Sequence, residues 1–179
     1  MKQLAAALLA LTLAACQCEP PPQAVDVPGA GLRLHLPAAW QLDQSPGSLL
    51  FALPAERGEV VGRSFFLVGR DSMREQPSGR PATLDSYVEF KDLQGRAQAR
   101  RYEVLRSRRL RLDGVESELR EVELSGQMEG RRSVAALLVR GHEGFLLVGS
   151  APLEEFPRLR RDFEDVIQSL QWSAASPAP

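Results

Sequence analysis

Few residues in this chain have the types and spacing that chemistry needs. Two cysteines, Cys16 and Cys18, follow an apolar run, and two histidines, His35 and His142, stand far apart. Serines sit beside glycines at Gly62-Arg63-Ser64 and Gly149-Ser150, and arginines crowd residues 100–111. A metal site needs several ligands at short spacing. Neither histidine has Cys, His, Asp or Glu two to four positions away, and Glu143 is simply the neighbour of His142. A serine on a Gly-x-Ser-x-Gly elbow needs a second glycine that both serines lack, so a triad assembled in space would have to use His35 or His142. Gly29-Ala30-Gly31 has no Lys-Ser/Thr pair and no helix after it, and is no phosphate loop. These residues imply no catalytic set, no cofactor-binding set and no metal.

The arginines are the remaining candidates. Of the 22 basic residues all but Lys2 and Lys91 are arginine, while Asn is absent, so turns must be made by Gly, Pro and Asp. A strip containing Arg100, Arg101, Arg106, Arg108, Arg109 and Arg111 suggests binding of phosphate or of anionic sugars. Asp113-Gly114 next to it is a two-residue hairpin signal. If it is the turn, Leu112 faces Val115, Arg111 faces Glu116, Arg109 faces Glu118, Arg106 faces Glu121 and Leu105 faces Val122. Three arginines are then matched by glutamates, and cross-strand pairs of this kind contribute about 0.2–1 kcal/mol each to the sheet. Arg100, Arg101 and Arg108 are left as a candidate partner patch.

The elements that must position these residues are short strands and two helices. Leu32, Leu34 and Leu36 alternate with Arg33 and His35, and a second extended piece lies around Trp40 and Leu42. After a turn at Ser45-Pro46-Gly47, residues 49–53 and 60–68 read as strands, and residues 69–82 as an exposed loop. Thr83 caps a helix expected over residues 83–94, with Leu84, Tyr87 and Val88 on one face, Phe90 and Leu93 off it, and Gly95 as the stop signal. Residues 94–101 read as a polar connection. Residues 134–139, Val-Ala-Ala-Leu-Leu-Val, are continuously apolar, as are residues 145–148 beyond a turn at Gly141-His142-Glu143-Gly144. Such runs mark central strands buried on both faces, so layers must lie on both sides of the sheet. Leu159, Phe163, Val166, Ile167 and Leu170 form one stripe of a closing helix that packs on one of those faces. Pro157 is tolerated in its first turn, and Glu154 and Glu155 favour its start. Residues 173–179 are expected to be a disordered tail.

The first 15 residues have a single basic residue, Lys2, followed by an apolar segment, residues 4–15. That segment is shorter than the roughly 20 residues that cross a bilayer as a helix, and it fits a signal-peptide core. Leu13-Ala14-Ala15-Cys16 at its end resembles the lipobox of bacterial lipoproteins. The resemblance implies cleavage between Ala15 and Cys16, a diacylglycerol on the Cys16 sulfur and acyl chains such as palmitate. Cys18 would then be an unpaired thiol beside the membrane. Gln17, which is not the Asp of the best-known inner-membrane retention rule, implies the outer membrane. Removing the first 15 of 179 residues leaves 164, a one-domain length, and takes the formal net charge from −1 to −2. That balance favours neither nucleic acid nor anionic lipid. Residues 16–30, with four prolines, read as the lipidated cysteine and an extended tether of roughly 40 Å, and residues 31–172 as the domain.

Within that domain, Gly31-Leu32-Arg33-Leu34-His35-Leu36-Pro37-Ala38-Ala39-Trp40, Thr83-Leu84-Asp85-Ser86-Tyr87, the long hairpins and the closing helix resemble the PsbP-like group. That group includes the extrinsic photosystem II protein, a transport factor binding the GTPase Ran, and DcrB-type envelope lipoproteins. The resemblance implies an α+β fold, an antiparallel sheet of about six or seven strands with helices on both faces. It implies binding of proteins and no activity. The resulting expectation is a membrane-anchored envelope lipoprotein with a non-enzymatic domain for another envelope protein. The alternatives are a carrier of an apolar ligand in a cavity lined by Phe65, Phe145 and Phe163, or a hydrolase.

Overall fold

The computed structural model describes residues 20–43, 45, 47–54, 64–73, 82–126 and 130–173. In chain order the elements are β1 (Gln23–Val27), β2 (Leu32–Leu36), β3 (Gln41–Asp43), β4 (Leu50–Leu53), β5 (Phe65–Ser72), α1 (Leu84–Gln98), β6 (Arg101–Leu112), β7 (Val115–Ser125), β8 (Arg131–Arg140), β9 (Glu143–Pro152), α2 (Phe156–Gln168) and β10 (Gln171–Trp172). Seven strands make one antiparallel sheet in the order β3-β4-β5-β9-β8-β7-β6, and β1-β2-β10 make a second, small sheet. The α+β expectation, with helices on both faces, is therefore met.

Alternation along β8 decides what lies where. Val134, Ala136 and Leu138 point into the main core, where they meet Leu32, Leu34 and Leu36 of the small sheet and Leu159, Phe163, Val166 and Ile167 of α2. Leu137 points the other way, to a smaller cluster with Tyr87 and Met73 under α1. The uninterrupted apolar run of β8 is thus a strand covered on both sides. Gly149 on β9 lets α2 approach closely, since a Cβ there would lie 2.1 Å from Cγ of Phe163.

The β6–β7 hairpin turns at Asp113 and Gly114, both with positive φ (45° and 80°), the backbone of a type I′ turn. Its register follows the expected pairing from Leu112↔Val115 to Arg106↔Glu121. A bulge between Val104 and Arg106 then shifts it, so Val104 and not Leu105 faces Val122.

Four other expectations need correction. The stretch expected as tether contains β1, which pairs with β2 along its whole length, with Arg33 hydrogen-bonded to Asp26 at 2.7 Å. Isolated, residues 23–27 have little to form; β2 supplies the ladder. The strand expected over residues 60–68 is β5, which continues to Ser72 because β9 pairs with it as far as Ser72↔Glu143, so the expected loop begins later. Residues 60–63 and 74–81 lie outside the described residues. The helix capped by Thr83, whose side chain accepts from Ser86 N–H at 3.1 Å, does not stop at Gly95 but runs to Gln98. Gly95 serves close packing instead, because a Cβ there would lie 2.4 Å from the Tyr102 ring. Finally, Ser173 of the expected tail donates to Gly31 C=O at 2.9 Å, extending the order past β10; residues 174–179 lie outside the described residues.

Candidate functional site

Two helices cover the large sheet differently. Along α2 the apolar stripe is buried as expected, with Leu170 just beyond the helix end also buried. Along α1 only Tyr87 is fully buried, while Phe90 and Leu93 are 41% and 61% exposed. Leu84 and Val88 are half-buried against the small apolar cluster around Tyr87, and the rest of what fixes α1 is a line of polar links. The Tyr87 hydroxyl donates to Asp71 on β5 at 2.7 Å, and Lys91 pairs with the same carboxylate at 2.8 Å. Asp92 accepts from the Tyr102 hydroxyl at 2.8 Å and from the Arg120 guanidinium, and Asp85 pairs with Arg109.

Arg120 is the centre of this line. Its side chain is 5% exposed and that of its partner Glu118 is 8% exposed, with Nη2 donating to Oε1 at 2.5 Å. Burial works against the charge of Arg120, but the hydrogen bonds to Glu118 and Asp92 outweigh it and hold the guanidinium above its ordinary pKa. Burial, reinforced by the bond to Asp92, pushes the Tyr102 hydroxyl up to about 12. Burial likewise raises Tyr87, with the Asp71 carboxylate adding to it.

Because α1 is held at its margins, part of the sheet face beside its C-terminal half stays uncovered. The result is a cleft of about 420 Å³. Its floor is Leu67, Val148, Ala135, Val122 and Leu124, one layer of side chains from β5, β9, β8 and β7, and Gln94 and Gln98 of α1 form a rim. One end is polar. There Arg131, itself buried, donates from Nε to Ser150 Oγ at 3.1 Å and stacks 5.1 Å from the centre of the Phe65 ring, and Ser133 donates to Ser150 Oγ at 3.0 Å. The volume falls in the range of small-molecule sites, roughly 300–1,000 Å³. The arrangement can hold an apolar body with a polar group at one end.

Most of these residues were not singled out in the sequence. Of the aromatics expected to line a cavity, only Phe65 does so; Phe145 and Phe163 are fully buried in the main core on the opposite face. The one available signal was Glu118 and Arg120, opposite charges two apart and therefore on one face of a strand, in a hairpin whose register was already deducible.

The arginines do not form one patch. Arg100 is exposed before β6, and Arg101 and Arg108 lie seven positions apart on that strand, roughly 23 Å at strand rise. Arg101 is not unpaired: its Nη2 bonds Glu103 Oε2 at 2.6 Å, on the same strand. Arg108 faces Leu119 and lines a notch of about 290 Å³ with Arg106 and with Arg160 of α2. Arg109 does pair with Glu118, at 3.1 Å. Arg106 and Arg111 stand opposite Glu121 and Glu116 in register, but the Glu121 carboxylate lies nearer Arg160 (3.2 Å) and Arg132 (3.6 Å). Cys16, Cys18 and the Ala15–Cys16 junction lie outside the described residues.

His35 is on β2, where its backbone N–H donates to Ser169 Oγ at 2.8 Å, and His142 is exposed at the β8–β9 turn. Among the described residues no cluster of three metal-ligating side chains occurs and no helix is long and apolar enough to cross a membrane.

No protein-family model matches the chain, and no curated protein matches it in sequence. Solved structures do. Cyanobacterial PsbP (CyanoP) from Synechocystis sp. PCC 6803 superposes with a TM-score of 0.60 at 15% identity, over 85% of this chain and 92% of that one. LpqN of Mycobacterium tuberculosis, a protein involved in cell envelope biogenesis, gives 0.60 at 10% identity, over 83% and 88%. PA94 of Pseudomonas aeruginosa gives 0.54 at 16% identity, over 89% and 99%. At such identities the likeness concerns architecture alone, and the architecture of this chain is the PsbP-like α+β fold.

Proposed function

We propose that this chain is a lipid-anchored protein of the bacterial envelope, most simply of the outer membrane, whose folded domain works by binding another envelope protein and performs no catalysis. The observation that carries the reading is the cleft beside α1, a concavity with an apolar floor on a sheet face that the protein's own helix leaves half covered. Exposed apolar surface of this kind marks an interaction site. The anchor rests on Leu13-Ala14-Ala15-Cys16. The similarity of LpqN, an envelope-biogenesis protein, supports the same compartment.

A second reading, that the cleft carries a small apolar ligand, is favoured by its volume and by the single polar end at Arg131, Ser133 and Ser150. Native mass spectrometry of protein extracted from membranes separates the two: a co-bound lipid supports the ligand, an empty domain the protein partner.

The main reading predicts an acylated N-terminal peptide beginning at Cys16 in membrane-extracted protein and loss of the anchor in a Cys16→Ala precursor. One acyl chain holds a protein only marginally and two or more hold it firmly, at about 0.8 kcal/mol per buried CH₂. It further predicts that a photo-crosslinker at Gln98, on the rim, captures an envelope protein, and that Leu124→Arg on the floor abolishes capture. An unmodified soluble form, or capture indifferent to Leu124→Arg, would sink it.

A further inference from the structure

Beyond the cleft, to whose lining β6 contributes Tyr102, the large sheet ends on β6, whose only strand neighbour among the described residues is β7. One long edge of a twelve-residue strand therefore offers main-chain N–H and C=O groups that no other strand among the described residues takes up. The side chains on that edge share one sign: five arginines, at 101, 106, 108, 109 and 111, against the single Glu103. Two of the five are engaged, Arg101 with Glu103 and Arg109 with Glu118 and Asp85. Among the described residues, Arg106, Arg108 and Arg111 have no carboxylate within 4.0 Å. Arg106 and Arg108, two apart and so on the same face, border the notch against α2, to which α2 contributes Arg160, already matched by Glu121 and Glu164.

From this we propose that β6 is a docking edge for an extended acidic segment of a partner protein, which adds as a further strand beside β6 and sets carboxylates on one of its faces against Arg106 and Arg108. The inference rests on the binding reading above and names the chemistry of the partner. Two properties of the edge select the occupant. Open main-chain groups are satisfied by another strand and not by a flat anionic surface. The unmatched arginines then filter which strand: a second copy of β6 would bring arginines against arginines, and like charges directly opposite are unfavourable. Charge along an edge also guards it against indiscriminate pairing. In β6 that guard and the selectivity are the same side chains.

The test uses full-length protein and a fluorescently labelled peptide as long as β6 that alternates Glu with Val. Binding should saturate and weaken as salt rises. A peptide of identical charge with Pro at every second Val position should not bind, because it cannot complete the ladder. The Arg106→Gln/Arg108→Gln protein, which removes both charges without setting a carboxylate against Glu121, should bind about tenfold more weakly with an unchanged circular dichroism spectrum and melting curve. Equal binding of the proline peptide, no binding of the acidic peptide, or an unaffected double variant each overturns the proposal. So does Arg106- and Arg108-dependent binding to phosphatidylglycerol vesicles without peptide binding, or formation of a dimer through β6. The Cys16→Ala precursor and the Leu124→Arg protein should both keep peptide binding, so a failure of the anchor or of the cleft is distinguishable from a failure of the edge.

Discussion

The two faces of the large sheet are closed by different forces. On one, α2 and the small sheet seal an apolar core in which Phe163 is packed over Gly149 and against Trp40, with ring centres 5.7 Å apart. On the other, α1 buries one side chain fully, half-buries Leu84 and Val88 beside it, and is tied down by Asp71, Asp85 and Asp92. Apolar burial is non-directional and fills space, so the α2 face closes over its apolar core and opens at its edge into the charged notch between Arg108 and Arg160. Polar links act at points and leave the ground between them open, which is how a helix can lie on a sheet and still have a cleft alongside. A protein that must fold and also present a concave surface can assign the two tasks to opposite faces of one sheet.

That contrast can be broken most severely from the α2 side. Phe163→Ala should cost about 3–5 kcal/mol, and thermal unfolding followed by circular dichroism should show the whole domain melting earlier, β6 and α1 included. If only α2 loosened, the two faces would be more independent than described. Next in size is Arg120→Ala, which leaves the buried Glu118 carboxylate with Arg109 alone and Asp92 with the Tyr102 hydroxyl alone; about 3 kcal/mol is expected from a broken buried pair. Here hydrogen exchange should show lost protection concentrated in α1, with α2 little changed, and a uniform loss would contradict the division.

The mildest probe is alkali. Tyr102 is raised in the folded protein to about 12 from an unfolded value near 10, so the native state holds this proton more tightly than the unfolded chain. The stability this confers is complete below about pH 10 and declines as pH rises through about 12. Tyr102→Phe should flatten that alkaline slope, whereas an unchanged slope would assign it to other groups such as Tyr87.

Much of the fold was legible in the sequence, for identifiable reasons. Asp113-Gly114 dictates its own turn backbone, and the charge matching that followed from it placed Arg109 against Glu118 correctly. The uninterrupted run at residues 134–139 requires cover on both sides, and the stripe on α2 has one solution. The errors share a cause too. A bulge at Leu105, a strand at residues 23–27 that exists only because β2 is beside it, and a helix that continues through Gly95 because Tyr102 packs there are all decided by contacts distant in sequence. Of the cleft only Phe65 was anticipated. The cleft is defined by what α1 fails to cover, and no residue type announces an uncovered area; Leu67, Val148 and Ala135 look like any core residues.

The pairing of β1 with β2 carries a consequence for life at a surface. With Gln23 already fixed in the small sheet, only seven residue steps separate it from Cys16, a covalent reach of at most about 25 Å. A domain of this size is itself roughly 40 Å across. If lipid is attached at Cys16, the leash is shorter than the body it holds, so the domain can rock against the bilayer but not range over its surroundings. A partner bound by a domain so held would have to reach into the same thin layer above the lipid.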